Sequence, residues 1–151
     1  MMLVLACGNR HRGDDAAGPL VAERLRAMGI DAREHSSDAL SLLDSWQGSD
    51  DVVLVDAVVT DGPPGAVRVW DALAAPLCGR PRAGSSHALG LAEAISLGRA
   101  LHRLPRRLTL VGIEARHFAF GARPSRAVLR GVERAARRVY EHCLDPRRPP
   151  V

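Results

Sequence analysis

Two hydrophobic periodicities alternate along the chain. MLVLACG near the start, DVVLVDAVV from Asp51 and LTLVGIE from Leu108 are almost unbroken apolar runs. Runs of that length, rich in β-branched residues, are expected of strands covered on both faces. Asp31 to His35 reads as a short strand, and AVRVW alternates, as a more exposed strand open to antiparallel pairing would. Between the strands the spacing changes to that of helices. Ala17 to Met28 places Leu20, Val21, Leu25 and Met28 on one face, and Ala39 to Trp46 follows Asp38, a residue suited to an N-cap. His87 opens a helix to about Leu104 with Leu91, Ile95 and Leu101 inward, and Ser125 to Cys143 forms the last helix. DGPPG is a turn, and the Pro-, Gly- and Ser-rich stretch from Ala75 to Ser86 is a loop. DPRRPPV cannot continue a helix, so residues 145–151 are expected to form a mobile tail behind one domain spanning 1–144.

The resulting order, β-α-β-α-β-β-α-β-α, predicts an α/β fold: a mostly parallel five-stranded sheet with helices on both faces. Ligands of such sheets bind beyond the carboxyl ends of the strands. The first strand ends there in GNRHRGDD, the third carries Asp56, and the fifth ends in Glu114 with His117 just beyond. His87 begins a helix after a Gly-Ser-Ser loop.

The first turn looks like a phosphate cradle, but it is neither GxGxxG nor GxxxxGK[ST], and two aspartates would repel the anion. One aspartate, Asp14, is explained as a helix cap, since carboxylates are favoured at a helix N-terminus. A second beside it needs another reason, because like charges repel. Asp56 lies in an apolar strand, where a carboxylate is costly unless paired, hydrogen-bonded or bound to a metal. Asp15, Asp56 and His87 together make a two-carboxylate, one-imidazole set suited to a divalent ion such as nickel, zinc, manganese or iron. His11 and His117 are read as solvated loop residues.

Composition narrows the alternatives. The chain of 151 residues has a net charge of +4 and no lysine, so arginine carries all of its permanent side-chain positive charge. Aromatic residues are only 3% of the chain, which argues against a stacking surface for nucleic acid. Three cysteines, Cys7, Cys78 and Cys143, lack CxxC spacing and read as free thiols of a reducing cytoplasm. No apolar run approaches the roughly 18 residues of a membrane span, and MMLVLACG lacks the charged start of a signal peptide.

LACGNRHRGDDAAGP, VVLVDAVV, SSHALGLAEAI and LTLVGIE, in that order and spacing, resemble the hydrogenase maturation proteases over nearly the whole chain. The resemblance implies a three-layer sandwich around a twisted five-stranded sheet. It implies an endopeptidase that removes the C-terminal extension from the precursor of a nickel-iron hydrogenase large subunit. Carried onto this sequence, it assigns Asp15, Asp56 and His87 as catalytic and metal-contacting residues. Their nickel would be supplied by the substrate, with no permanently bound organic cofactor. A monomer suffices for that role, and no nucleic-acid or membrane partner is implied. Many members have Glu where Asp15 stands, and a Pro-Glu-Ser-like segment where this chain has ARHFAFGARP. The alternatives are a metallopeptidase of the same fold with its own metal, and a non-catalytic module that binds a metallated partner.

Overall fold

The computed structural model describes residues 2–74 and 86–147, with the side chains of residues 86–89 outside the description. The predicted loop at 75–85, Cys78 and the last four residues therefore lie outside the described residues. The strands are β1 (Met2–Cys7), β2 (Ala32–His35), β3 (Asp51–Val58), β4 (Val67–Asp71) and β5 (Arg107–Glu114). The helices are α1 (Ala17–Ala27), α2 (Ala39–Ser45), α3 (Ser86–Ala100) and α4 (Arg126–Leu144). A 3-10 turn, Gly13–Ala16, precedes α1. The strands form one five-stranded sheet in the order β2-β1-β3-β5-β4, parallel except for β4, which pairs antiparallel with β5 at the edge.

Burial follows from this order. β3 is central, and all of its residues from Asp51 to Val58 are buried. Val53, Val55 and Ala57 face a core shared with α1 and α4; Val52 and Leu54 face a second core shared with α2 and α3. Side chains on a strand alternate between its faces, so Asp56 belongs to the α2/α3 side with Leu54. α4 offers Val128, Val132, Ala135, Ala136 and Val139 inward, a helical stripe of mostly small residues that lets it lie close to the sheet. Trp46 is the one fully buried aromatic among the described residues, and its indole N–H donates to the Arg103 carbonyl at 3.1 Å. No helix among the described residues is long and apolar enough to cross a membrane.

Helix ends account for two departures from the predicted faces. Met28 is 43% exposed because α1 stops at Ala27; the buried face is Ala17, Gly18, Val21, Ala22 and Leu25. Leu101 is 54% exposed, because α3 stops at Ala100 and His102 takes a left-handed conformation. Leu104 packs against the core beyond that reversal. Asp38 is the N-cap of α2, accepting from the Ser41 N–H at 2.9 Å, and Ser125 caps α4 in the same way at 3.3 Å.

Candidate active site

Because β1, β2, β3 and β5 are parallel, their carboxyl ends share one edge of the sheet. The chain leaves β1 through Gly8, whose φ of +140° few side-chain-bearing residues adopt. A Cβ at that position would also overlap the Asp15 carbonyl. The turn closes on Asp15 from both directions. Asn9 N–H donates to the Asp15 carbonyl and to its Oδ2, both at 3.1 Å, and Asp15 N–H donates to the Arg12 carbonyl at 3.0 Å. Asp15 is 4% exposed. Gly8→Ala is therefore expected to cost about 2–3 kcal/mol, a fall of roughly 4–12 °C in melting temperature. It should also impair any activity that depends on Asp15. A thermal melt alongside an activity assay checks both.

Asp56 is 8% exposed, and its Oδ1 accepts from the Ala57 N–H at 2.8 Å. On β5 its register partner is Gly112, so no side chain stands beside it on that strand. Cys7, at the end of β1, is buried at the same edge. Its thiol is buried and is driven far above its ordinary titration range by burial first, then by Asp56, then by Asp15. Both carboxylates thus act on one sulfur at the end of β1. The same effect keeps Cys7 a protonated thiol, unsuited to nucleophilic attack.

His87 is the second residue of α3, and its side chain lies outside the described residues. The backbone nonetheless places its turn. Gly90 sits so close to the Ser37 carbonyl that a Cβ would overlap it, and Ser37 lies just beyond the carboxyl end of β2. Leu91, Ala94 and Ile95 pack on the α2/α3 side of the sheet. The first turn of α3 is therefore at the same edge as Asp15 and Asp56, and on the side that Asp56 faces. Among the described residues, no three His, Cys, Asp or Glu side chains gather as a metal set.

Asp14 does not cap α1. The N-cap of that helix is Ala16, with no side-chain hydrogen bond, and the double aspartate lies in the preceding 3-10 turn. The fully buried Asp14 carboxylate instead reaches the loop between β5 and α4. Its Oδ2 accepts from Arg116 N–H at 3.0 Å and His117 N–H at 3.1 Å, and its Oδ1 accepts from Ser125 N–H at 2.8 Å. Burial raises its titration, but the donors from Ser125, Arg116 and His117 outweigh burial and hold it below the ordinary carboxylate value. Glu114, also fully buried, holds the turn after β3: it accepts from Thr60 N–H, from the Thr60 hydroxyl and from Gly62 N–H. Sequence reading grouped Glu114 with the chemistry of the edge; its carboxylate serves the backbone. His11 and His117 are exposed, as expected of loop residues.

Comparison with known proteins gives the chain's family. The family model described as HycI, hydrogenase maturation protease, matches residues 29–142, from just before β2 into the end of α4. The protein is thus a peptidase built on an α/β fold. It belongs to the hydrogenase maturation proteases, which process precursors of hydrogenase large subunits. Among solved structures, the [NiFe] hydrogenase maturation protease HybD from Thermococcus kodakarensis is 29% identical, with a TM-score of 0.74 over 93% of this chain and 97% of that one. HycI from Thermococcus kodakarensis KOD1 is 27% identical, with a TM-score of 0.72 over 93% and 90%. The maturating endopeptidase HybD from E. coli, 24% identical, shares the fold with a TM-score of 0.77 over 96% and 93%. No curated protein matches the sequence significantly.

Proposed function

We propose that this peptidase trims the C-terminal extension of a nickel-iron hydrogenase large-subunit precursor only after nickel has been inserted. Asp15, Asp56 and His87 contact the nickel that the precursor carries. The observation supporting this reading is that Asp15 and Asp56, both buried, lie at the sheet edge that the first turn of α3 approaches. Two buried carboxylates at one sheet edge carry a high electrostatic cost, which a divalent cation offsets. Two oxygen donors and one imidazole suit a borderline ion such as nickel and leave positions for the substrate's own ligands. The ion then supplies Lewis-acid polarisation of the scissile carbonyl or activation of water. Water adds to the carbonyl carbon, the C–N bond breaks, and the leaving amine takes a proton. The protein has no permanently bound organic cofactor in this scheme and acts as a monomer in the reducing cytoplasm.

Incubating the purified protein with precursor subunit, with and without nickel, and measuring product mass tests the reading. The extension should be lost only from the nickel-loaded precursor, and the dialysed protease should hold far less than stoichiometric metal. Equal trimming of nickel-free precursor would remove the metal check. A stoichiometric metal surviving dialysis would assign the ion to the protease instead.

A further inference from the structure

The turn after β1 and the loop between β5 and α4 are joined into one surface. Gly13 N–H donates to the Ala122 carbonyl at 3.1 Å, Asp14 N–H to the His117 carbonyl at 2.7 Å, and Gly121 N–H to the His11 carbonyl at 2.6 Å. The three donors to the Asp14 carboxylate complete the seam. Residues 9–13 and 115–126, apart from the buried Asp14 and Asp15 between them, contain five arginines, two histidines and no carboxylate. Two of the arginines have partners. Arg10 pairs with Glu34 at 2.8 Å and Glu23 at 3.1 Å. Arg116 lies 3.7 Å from Glu114 and donates to the Gly62 carbonyl.

Arg12, Arg123 and Arg126 are exposed and form no ion pair among the described residues. Arg12 and Arg123 each lie one residue from the Gly13–Ala122 hydrogen bond, so the seam brings them to one place. Arg126 is the first residue of α4, where a cation opposes the helix dipole and no acidic residue offsets it. Local electrostatics disfavour that placement, a conflict expected where a surface serves another purpose. Phe120 projects from the same loop and is 80% exposed. The face is also continuous with the site, since Arg12 accepts the Asp15 N–H.

We propose that this seam is a docking face for the hydrogenase precursor and takes an acidic segment of it: carboxylates against Arg12, Arg123 and Arg126, and an apolar side chain against Phe120. The inference rests on the proposed function, because the segment belongs to the protein whose metal reaches Asp15 and Asp56. A preformed face of one charge speeds encounter and orients the partner, so its effect belongs in KM and in the salt dependence. Nucleic acid is the other polyanion such a face suits, but Phe120 alone offers little for bases to stack on.

The test compares wild type with the double variant Arg12→Glu/Arg123→Glu and with its neutral counterpart, Arg12→Gln/Arg123→Gln, on nickel-loaded precursor. The charge-reversed protein should show a KM raised about tenfold, a flattened response of KM to salt, and turnover at saturation within about twofold of wild type. The neutral variant should fall between. Thermal melts matching wild type show that the variants fold. If wild type trims the precursor and both variants do so with the same KM and salt response, the docking face is refuted and the proposed function stands. If wild type trims no precursor with or without nickel, the proposed function fails and the docking face fails with it. Tight binding of a single-stranded oligonucleotide, lost in the charge-reversed variant while the precursor's KM is unmoved, would assign the face to nucleic acid and overturn the proposal.

Discussion

Asp56→Asn is expected to reduce trimming of a nickel-loaded precursor by about a thousandfold or more, with the fold intact. The substitution keeps the side chain's size and leaves an amide oxygen able to accept the Ala57 N–H that the carboxylate now accepts. What disappears is the charge. An uncharged amide is cheaper to bury than a carboxylate at a position only 8% exposed, so stability should hold or rise slightly. Loss of activity without loss of stability is the signature of a carboxylate retained for chemistry. Initial rates of product formation, followed by mass, and a thermal melt of the same preparation check both halves. Unchanged cleavage would exclude Asp56 from the site. A collapse in stability would show that its charge serves the fold.

The strands and helices were legible because each carries a redundant signal. β3 and β5 are continuous apolar runs, as strands covered on both faces must be, and β4 alternates because it lies at an edge. Helix starts at Asp38 and Ser125 could be read from their capping chemistry, which is local. Helix ends were harder. The apolar spacing continues past Ala27 to Met28 and past Ala100 to Leu101, so periodicity alone overruns the true stops. The left-handed residue His102, which turns the chain after α3, is not a glycine; histidine takes that conformation more readily than most side chains, yet too seldom for its presence to announce a turn.

The site divides along the same line. Asp56 was legible as a carboxylate in an apolar strand, but Glu114 sends the same signal and holds a turn instead. Their difference lies in partners far along the chain: Glu114 accepts from Thr60, 54 residues away. Asp14 and Asp15 are adjacent, and the residues that separate their roles are equally remote. Asp14 reaches across 102 residues to Arg116 and 111 to Ser125, whereas Asp15 is held through Asn9, only six residues away. A pattern read locally finds two aspartates in a turn and assigns one to a helix cap. Only the return of β5 to the sheet edge supplies the N–H groups that claim Asp14.

Asp14→Asn should therefore be the most destabilising of the conservative substitutions considered. Both carboxylate oxygens accept from backbone N–H groups, Oδ1 from Ser125 and Oδ2 from Arg116 and His117. Asparagine offers one oxygen, and in either orientation its NH2 faces at least one of those buried donors. Hydrogen bonds to a charged acceptor and the penalty for an unsatisfied buried donor together give about 3–4 kcal/mol, roughly 6–16 °C in melting temperature. Trimming should also fall, though less than for Asp56→Asn, because the turn that holds Asp15 loses the carboxylate's part of its tie to the loop. The loss should depend on pH. The folded state holds the Asp14 carboxyl below its ordinary value of 3.8, so its stabilisation is complete above that value and is lost as pH falls through the lower folded one. Wild type and variant should thus differ most near neutrality and converge in strong acid. Denaturant unfolding of both proteins at neutral pH and below pH 3.8 measures the gap, and a gap of constant size would show that the carboxylate's charge is not what joins the two loops.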